Sequence, residues 1–382
     1  MAASMDRDLL FVFGTRPEAI KLCPLIRRMR RCGSFRTLVC VTGQHRELLA
    51  DALGVFDVRP DFDLGVMRPA QGLTACASRI LSGLDGVIRQ TNPAWVVVQG
   101  DTTSTFCGAL AGFYAGAPVA HVEAGLRTGD MHRPFPEEMH RVVVSRLASL
   151  HFAATQTAVE RLRDEGVPAS RIRLTGNTGV DALLEVVAGL ESGVIAAQAW
   201  PWLDPRRRLI VATAHRRESF GPAMSQIGAG LRRLAQRPDV QLVCLTHPNP
   251  QAREVLRAAL RGTPAQLLEP LGYAAFVDLL RRAHFVVTDS GGIQEEAPSL
   301  GKPVLVLRDV TERPEAIRPG TAQLVGCSAE RLLAAANLLL DDPEEYERRS
   351  RVRPLFGDGH ACRRIEEALL QMQRRTASMV AG

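Results

Sequence analysis

The distribution of apolar residues along the chain predicts alternating strands and helices. Short continuous apolar runs, which are typical of strands buried on both faces, recur from one end to the other. In the first half, these predicted strands span residues 9–14, 37–42, 95–100, 119–122, 150–154 and 171–175. In the second half, they span residues 209–213, 240–246, 266–268, 284–288 and 304–307. Between most neighbouring strands, apolar residues follow the i, i+3, i+4 spacing of a helix.

This alternation predicts an α/β fold with parallel sheets covered by helices on both faces. The strands form two groups, separated by residues 191–205, which have no strand character. We therefore predict two Rossmann-like, doubly wound domains that face each other across a cleft. The first would comprise residues 1–175 together with the C-terminal helix 361–382, and the second residues 176–360. A chain of 382 residues fits two domains of about 150–200 residues each.

Composition narrows the class of protein. The net charge of +6 is modest, and the arginine clusters at 27–31 and 206–208 have no neighbouring aromatic residues, so a nucleic-acid-binding surface is not predicted. The eight cysteines contain no C-x-x-C pair, which indicates buried thiols in a reducing compartment. Because the N-terminus has no apolar signal core, we expect a cytoplasmic protein that does not bind membranes.

The sequence Thr288–Glu296 predicts a phosphate-binding turn, because a strand ends there, two glycines follow and a helix begins. Exposed backbone N–H groups and the helix dipole bind anions at such a point. Gly291 and Gly292 allow a diphosphate to approach the backbone, and Ser290 adds a hydroxyl donor. Glu296, one turn into the helix, can accept hydrogen bonds from two ribose hydroxyls. The alternative is a tight strand–helix turn with an N-cap.

Positively charged residues follow several of the predicted strands. Arg16 and Lys21 come after the first strand, and further cations occur at 213–218 and 311–315. Their alternative role is to provide solubility at helix ends. Cations at several strand ends indicate a ligand with more than one negative charge.

Three carboxylates are candidates for acid–base chemistry. Asp101 and Glu123 follow consecutive strands, and Glu137 lies in the first turn of a predicted helix. Each one alone is more typical of a helix cap. Three carboxylates that converge on one site would shift one another's pKa values, which separates an acid from a base.

Other chemistries lack their motifs. There is no H-E-x-x-H motif and no zinc-type Cys/His spacing, so we predict no metal site. No G-x-G-x-x-G follows the first strand, which argues against a dinucleotide cofactor. A G-x-S-x-G nucleophile turn is also missing.

Taken together, these motifs resemble those of the non-hydrolysing bacterial UDP-N-acetylglucosamine 2-epimerases. The similarity runs in the same order from about residue 9 to residue 370. It is carried by residues 14–21, 100–105, 121–128, 134–138, 213–218, 246–250, 289–298 and 311–315.

The resemblance implies a fold like that of the GT-B glycosyltransferases, a homodimer, and a reaction that needs no cofactor. The implied reaction converts UDP-N-acetylglucosamine reversibly to UDP-N-acetylmannosamine by anti-elimination of UDP, with 2-acetamidoglucal as the intermediate. Three alternatives remain open: a hydrolysing epimerase that releases N-acetylmannosamine and UDP, a glycosyltransferase of similar fold, and a non-catalytic regulator that binds UDP-sugars.

The resemblance also implies roles for individual residues. The catalytic residues would be Asp101, Glu123, Glu137 and His215. The residues that bind the substrate would be Arg16, Lys21, Leu271, Phe276, Ser290, Gly291, Gly292, Glu296 and Arg313. Among these, Phe276 would lie against the uracil ring. A second, activating substrate molecule would contact Gln44, Gln71 and His247.

The chain departs from the family's pattern at several positions. Ser219 and His140 stand where the family usually has Asn, which concerns local hydrogen bonding near Glu218 and Glu137. Ala70 replaces an Arg found in some members, and Glu47 stands where a Gln can occur. We therefore expect weak or no activation by a second substrate molecule.

Overall fold

The computed structural model describes residues 8–43, 46–68, 71–214, 221–246 and 250–380. It divides into two compact units. The first ends at Glu185 and resumes at Gly357, and the second spans Val186–Phe356. Each unit contains one parallel sheet with helices between its strands, which confirms the predicted pair of doubly wound α/β domains.

The first unit is built on a seven-stranded sheet with the order β3-β2-β1-β4-β5-β6-β7. Its strands are β1 Asp8–Phe13, β2 Arg36–Val41, β3 Phe62–Asp63, β4 Trp95–Gln99, β5 Val119–Ala124, β6 Leu150–Ala153 and β7 Ile172–Leu174. The helices are α1 Arg16–Cys32, α2 Arg46–Val55, α3 Leu73–Thr91, α4 Thr103–Tyr114, α5 Glu137–Leu147, α6 Gln156–Asp164 and α7 Thr178–Glu191. The strand order reverses between β1 and β4, and ligands of doubly wound sheets bind at such switch points.

The second unit repeats this topology with six strands in the order β10-β9-β8-β11-β12-β13. Its strands are β8 Arg208–Thr213, β9 Val240–Leu245, β10 Gln266–Leu268, β11 Phe285–Thr288, β12 Val304–Val306 and β13 Ala322–Leu324. The helices are α8 Pro222–Ala235, α9 Pro250–Leu260, α10 Tyr273–Arg282, α11 Gly291–Ser299, α12 Pro314–Ile317, α13 Ala329–Asp341 and α14 Pro343–Ser350. Its switch point lies between β8 and β11.

The last helix, α15 Ala361–Val380, belongs to the first unit and packs on α1. The carboxylate of Asp181 in α7 accepts the backbone N–H groups of Ala361 at 3.1 Å and Cys362 at 2.9 Å. Because this contact ties the start of α7 to α15, the chain changes units inside α7, whereas the sequence places the boundary after residue 175. Among the described residues, no helix is both long and apolar enough to cross a membrane.

The eleven predicted strands are confirmed to within two residues at each end. Two further strands, β3 and β13, are only two and three residues long and are not among the predicted ones. Both lie at sheet edges and contain polar residues, so they show no continuous apolar run.

The turn after β5 predicts an unequal response of two glycines to substitution. Gly125 has a φ of 93°, and a Cβ atom there would lie 2.4 Å from the carbonyl oxygen of Ala158. Gly129 has a φ of 83° but no atom within 4 Å of such a Cβ. Gly129→Ala should cost about 1 kcal/mol for the backbone conformation. Gly125→Ala should cost about 1–3 kcal/mol more for the steric clash. Urea denaturation measures both, and equal losses would contradict the packing described.

Candidate active site

A buried carboxylate joins the two turns at the switch point of the first unit. Glu18 is only 2% exposed. Its Oε2 accepts the N–H groups of Gly14 at 2.9 Å and Thr15 at 2.8 Å, in the turn after β1. Its Oε1 accepts the hydroxyls of Thr102 at 2.5 Å and Thr105 at 2.9 Å, after β4. Burial raises the pKa of Glu18 above its usual value, and the hydrogen bonds from these donors offset only part of that rise.

The turn after β4 carries Asp101 and is held from two neighbouring elements. The Nε2 of His121 in β5 donates to the carbonyl oxygen of Gly100 at 2.7 Å. The Nδ1 of His140 in α5 donates to the carbonyl oxygen of Asp101 at 2.8 Å. Because a carbonyl oxygen only accepts, each ring must carry its hydrogen on that nitrogen. Arg141 Nε donates to the Asp101 carboxylate at 2.8 Å.

Both imidazoles are buried, which disfavours their charged form. Burial lowers the pKa of His121 to about 3 and also lowers the pKa of His140. The ring of His140 stacks on Phe106 with centroids 5.1 Å apart. This contact and the bond to Asp101 fix the orientation of the His140 ring.

Arg141 links Asp101 to a second, fully buried carboxylate. Its Nη1 donates to Glu138 Oε2 at 2.7 Å, and Glu138 is 1% exposed. The other oxygen of Glu138 accepts the N–H groups of Thr128 at 2.8 Å and Gly129 at 3.0 Å. Neither Arg141 nor Glu138 is among the site residues predicted from the sequence. The available indications were the i, i+3 spacing of the two residues on α5 and, for Glu138, its place in the segment 134–138.

Glu123 lies at the end of β5, where the register with β6 shifts. Its φ of 64° is left-handed, which is unusual for a residue other than glycine. The carboxylate forms an ion pair with Lys21 of α1. It also accepts hydrogen bonds from Gln99 at 3.0 Å and Asn177 at 3.3 Å. Two predicted site residues, Lys21 and Glu123, are thus in direct contact.

The remaining predicted residues of the first unit have separate positions. Arg16 and Glu137 are half-buried at the first positions of α1 and α5. The amide oxygen of Gln71 accepts a hydrogen bond from Arg79, so a cation does lie beside this residue. Within the described segments, no three His, Cys, Asp or Glu side chains form a group that could hold a metal ion. Three predicted residues lie outside the described residues: His215, Gln44 and His247.

In the second unit, an arginine lies against the N-terminus of α11. A Cβ atom at Gly291 would be 2.6 Å from Arg313 Cζ, so only glycine fits there without a shift. Arg313 donates to Glu295 Oε1 at 2.6 Å and forms an ion pair with Glu312. Its guanidinium and the first N–H groups of α11 therefore place positive charge at one point. Ser290 is the N-cap of this helix.

The other predicted nucleotide-binding residues lie on α10, α11 and the turn before α10. The hydroxyl of Tyr273, which is not among the predicted site residues, donates to Glu296 Oε1 at 3.1 Å. Leu271 and Gly292 are half-buried. Phe276 is 9% exposed, so only a small part of its ring can meet a ligand. Its contact with uracil stays a prediction.

Comparison with known proteins identifies relatives over nearly the full chain. The family model described as UDP-N-acetylglucosamine 2-epimerase matches residues 27–370. The UDP-N-acetylglucosamine 2-epimerase of Escherichia coli K12 is 47% identical over 367 residues, which cover 94% of this chain and 98% of the relative.

Solved structures give the same result. The Neisseria meningitidis UDP-GlcNAc 2-epimerase bound to UDP-GlcNAc matches with a TM-score of 0.92 and 41% identity, and covers 95% of this chain and 100% of its own. The Methanocaldococcus jannaschii UDP-GlcNAc 2-epimerase in complex with UDP-GlcNAc and UDP matches with a TM-score of 0.79 and 29% identity. The match covers 95% of this chain and 99% of the other chain.

Because of its buried imidazoles, the protein should be less stable against unfolding at acidic pH. The pKa of His121 is lowered to about 3 and that of His151 to about 4, in both cases chiefly by burial. An unfolded imidazole takes up a proton near pH 6.5. As the pH falls below 6.5, the unfolded state therefore binds more protons, and the free energy of unfolding decreases until the folded pKa is reached.

His121→Gln removes one imidazole that takes up a proton on unfolding. The free energy of unfolding should therefore change less steeply with pH in this variant. Near pH 5 this reduction in slope should be up to about 1.4 kcal/mol per pH unit. Urea denaturation between pH 7 and pH 4.5 measures it. His132→Gln replaces an exposed imidazole and is the control. An unchanged slope in His121→Gln would show that the unfolded and folded states bind this proton equally.

Proposed function

The chain belongs to the family of UDP-N-acetylglucosamine 2-epimerases, and we propose that it inverts C2 of UDP-N-acetylglucosamine without hydrolysing it. The product would be UDP-N-acetylmannosamine, and the reaction would be reversible. The observation that carries this proposal is the pair of separately held carboxylates, Asp101 and Glu123, at the carboxyl ends of the adjacent strands β4 and β5 of the first unit.

The chemistry explains why such a site needs carboxylates. The C2 proton of the sugar is not acidic, because no carbonyl group adjoins it. If the C1–O bond breaks first, its electron pair leaves with UDP and C1 becomes oxocarbenium-like. The C2–H bond is then acidic enough for a carboxylate to remove the proton, and its electrons form the C1–C2 double bond of 2-acetamidoglucal. Protonation of the opposite face and return of UDP complete the inversion.

The first unit supplies groups suited to the proton transfers. General acid and base must act from fixed positions, within hydrogen-bonding reach of the reacting atoms. Arg141 fixes the carboxylate of Asp101, and Lys21 with two amide donors fixes that of Glu123. We propose that Glu137, which begins α5, completes the set.

The second unit supplies groups suited to UDP. A departing diphosphate gains negative charge, and fixed positive groups stabilise it most when they need no rearrangement. The N-terminus of α11 at Gly291 lies against Arg313, which two carboxylates hold in place. Glu296, fixed by Tyr273, is our candidate for the ribose hydroxyls. We propose that Arg16 and His215 also contact the substrate.

We also propose that the enzyme acts as a homodimer in the cytoplasm. All eight cysteines are free, which is consistent with a reducing compartment. The dimer is implied by the family resemblance. Gel filtration with light scattering measures the mass of the assembly directly.

The experiment that tests the function is incubation of the pure protein with UDP-N-acetylglucosamine, followed by NMR. We expect a mixture of the two UDP-sugars. Free N-acetylmannosamine with UDP would instead favour a hydrolysing enzyme. An unchanged substrate would leave a glycosyltransferase or a regulator as the better description.

In the same assay, Asp101→Asn, Glu123→Gln and Glu137→Gln should each lower kcat by about 10²–10⁴-fold, because each removes one acid–base group. The affinity for UDP should change far less. The control is Glu160→Gln, which alters an exposed carboxylate on α6. Near-normal activity in all three site variants would refute the assignment of these carboxylates.

A further inference from the structure

The turn that carries Asp101 is held at each of its three residues by a different element. His121 from β5 holds the carbonyl of Gly100, and His140 from α5 holds the carbonyl of Asp101. Glu18 from α1 accepts the hydroxyl of Thr102. The direction of the Asp101 side chain therefore depends on bonds made to its own backbone as well as on Arg141.

Both imidazoles are buried, and His121 has a further cost at its position. His121 is 1% exposed and His140 is 4% exposed. The Nδ1 atom of His121 is buried and has no hydrogen-bond partner among the described residues. A buried polar atom without a partner costs about 1–3 kcal/mol. The protein accepts this cost while the other nitrogen of the ring holds Gly100.

We propose that His121 and His140 are positioning residues for Asp101. Their N–H groups hold the carbonyl oxygens of Gly100 and Asp101, and so fix the carboxylate in the orientation that proton transfer requires. This inference rests on the proposed function, in which Asp101 acts on the sugar. The two rings do not touch the substrate in this account, and they act only through the turn.

The two histidines use different ring nitrogens, and this gives a specific test. The amide nitrogen of glutamine can occupy the place of a histidine Nε2, and that of asparagine the place of Nδ1. His121→Gln should therefore keep its bond to Gly100, and His121→Asn should lose it. At position 140 the order should reverse, with His140→Asn active and His140→Gln impaired. All four variants introduce an amide of similar polarity.

We expect the two matched variants, His121→Gln and His140→Asn, to keep kcat within about 3-fold of the wild type. The two mismatched variants should lose about 10–100-fold in kcat, because a misplacement near 1 Å can cost about 10²-fold. KM and the UDP affinity measured by calorimetry should change less than kcat. Thermal denaturation establishes that each variant is folded.

A double-mutant cycle separates positioning from general damage to the fold. If His121 acts through Asp101, then adding His121→Asn to Asp101→Asn should lower kcat by less than about 3-fold further. A full, additive loss in the double variant would overturn the inference. The same preference order at both positions would overturn it too. If a mismatched variant does not fold, the matched variant at the same position provides the test. Impaired activity of that matched variant would contradict the proposal.

Two experimental outcomes distinguish the positioning role of the histidines from the proposed function. A wild-type protein without epimerase activity would overturn the function and this inference together. An active wild type, with mismatched variants as active as matched ones, would overturn only the positioning role of the two histidines.

Discussion

The first unit depends on the Glu18 carboxylate, which joins the turn after β1 to the turn after β4. Few single residues can satisfy donors from two strand ends, and a carboxylate accepts several hydrogen bonds at once. Because the donors come from both sides of the switch point, the two turns cannot move apart without leaving buried polar groups without hydrogen bonds. One side chain therefore holds together the two turns that lie next to Arg16 and Asp101.

Ion pairs also hold several other charged side chains that have a proposed role in each unit. Lys21 neutralises Glu123, and Arg141 joins Asp101 to Glu138. In the second unit, Arg313 is fixed between Glu295 and Glu312. Preformed charge of this kind suits a reaction in which charge develops on a leaving group, because little rearrangement is needed.

The sequence predicted the elements well and their mutual contacts poorly, for a physical reason. Strands such as β1 are continuous apolar runs, so they are visible in the residues themselves. The pairing of Asp101 with Arg141, and of Glu123 with Asn177, joins residues 40 and 54 positions apart. Such contacts follow from strand order, which local patterns do not encode. The left-handed backbone of Glu123 also could not be predicted, because a glutamate does not indicate this conformation in a local sequence pattern.

In the proposed reaction, each epimerisation breaks the C1–O bond to UDP and the C2–H bond, and both bonds then form again. The most direct measurement is the reaction in heavy water with a heavy-oxygen label in the C1–O bridge of UDP-N-acetylglucosamine. We expect deuterium at C2 of both epimers, and we expect the label to move into non-bridging positions of the β-phosphate. Epimers formed with neither deuterium nor displaced label would contradict the proposed reaction, and would indicate transient oxidation of the sugar instead.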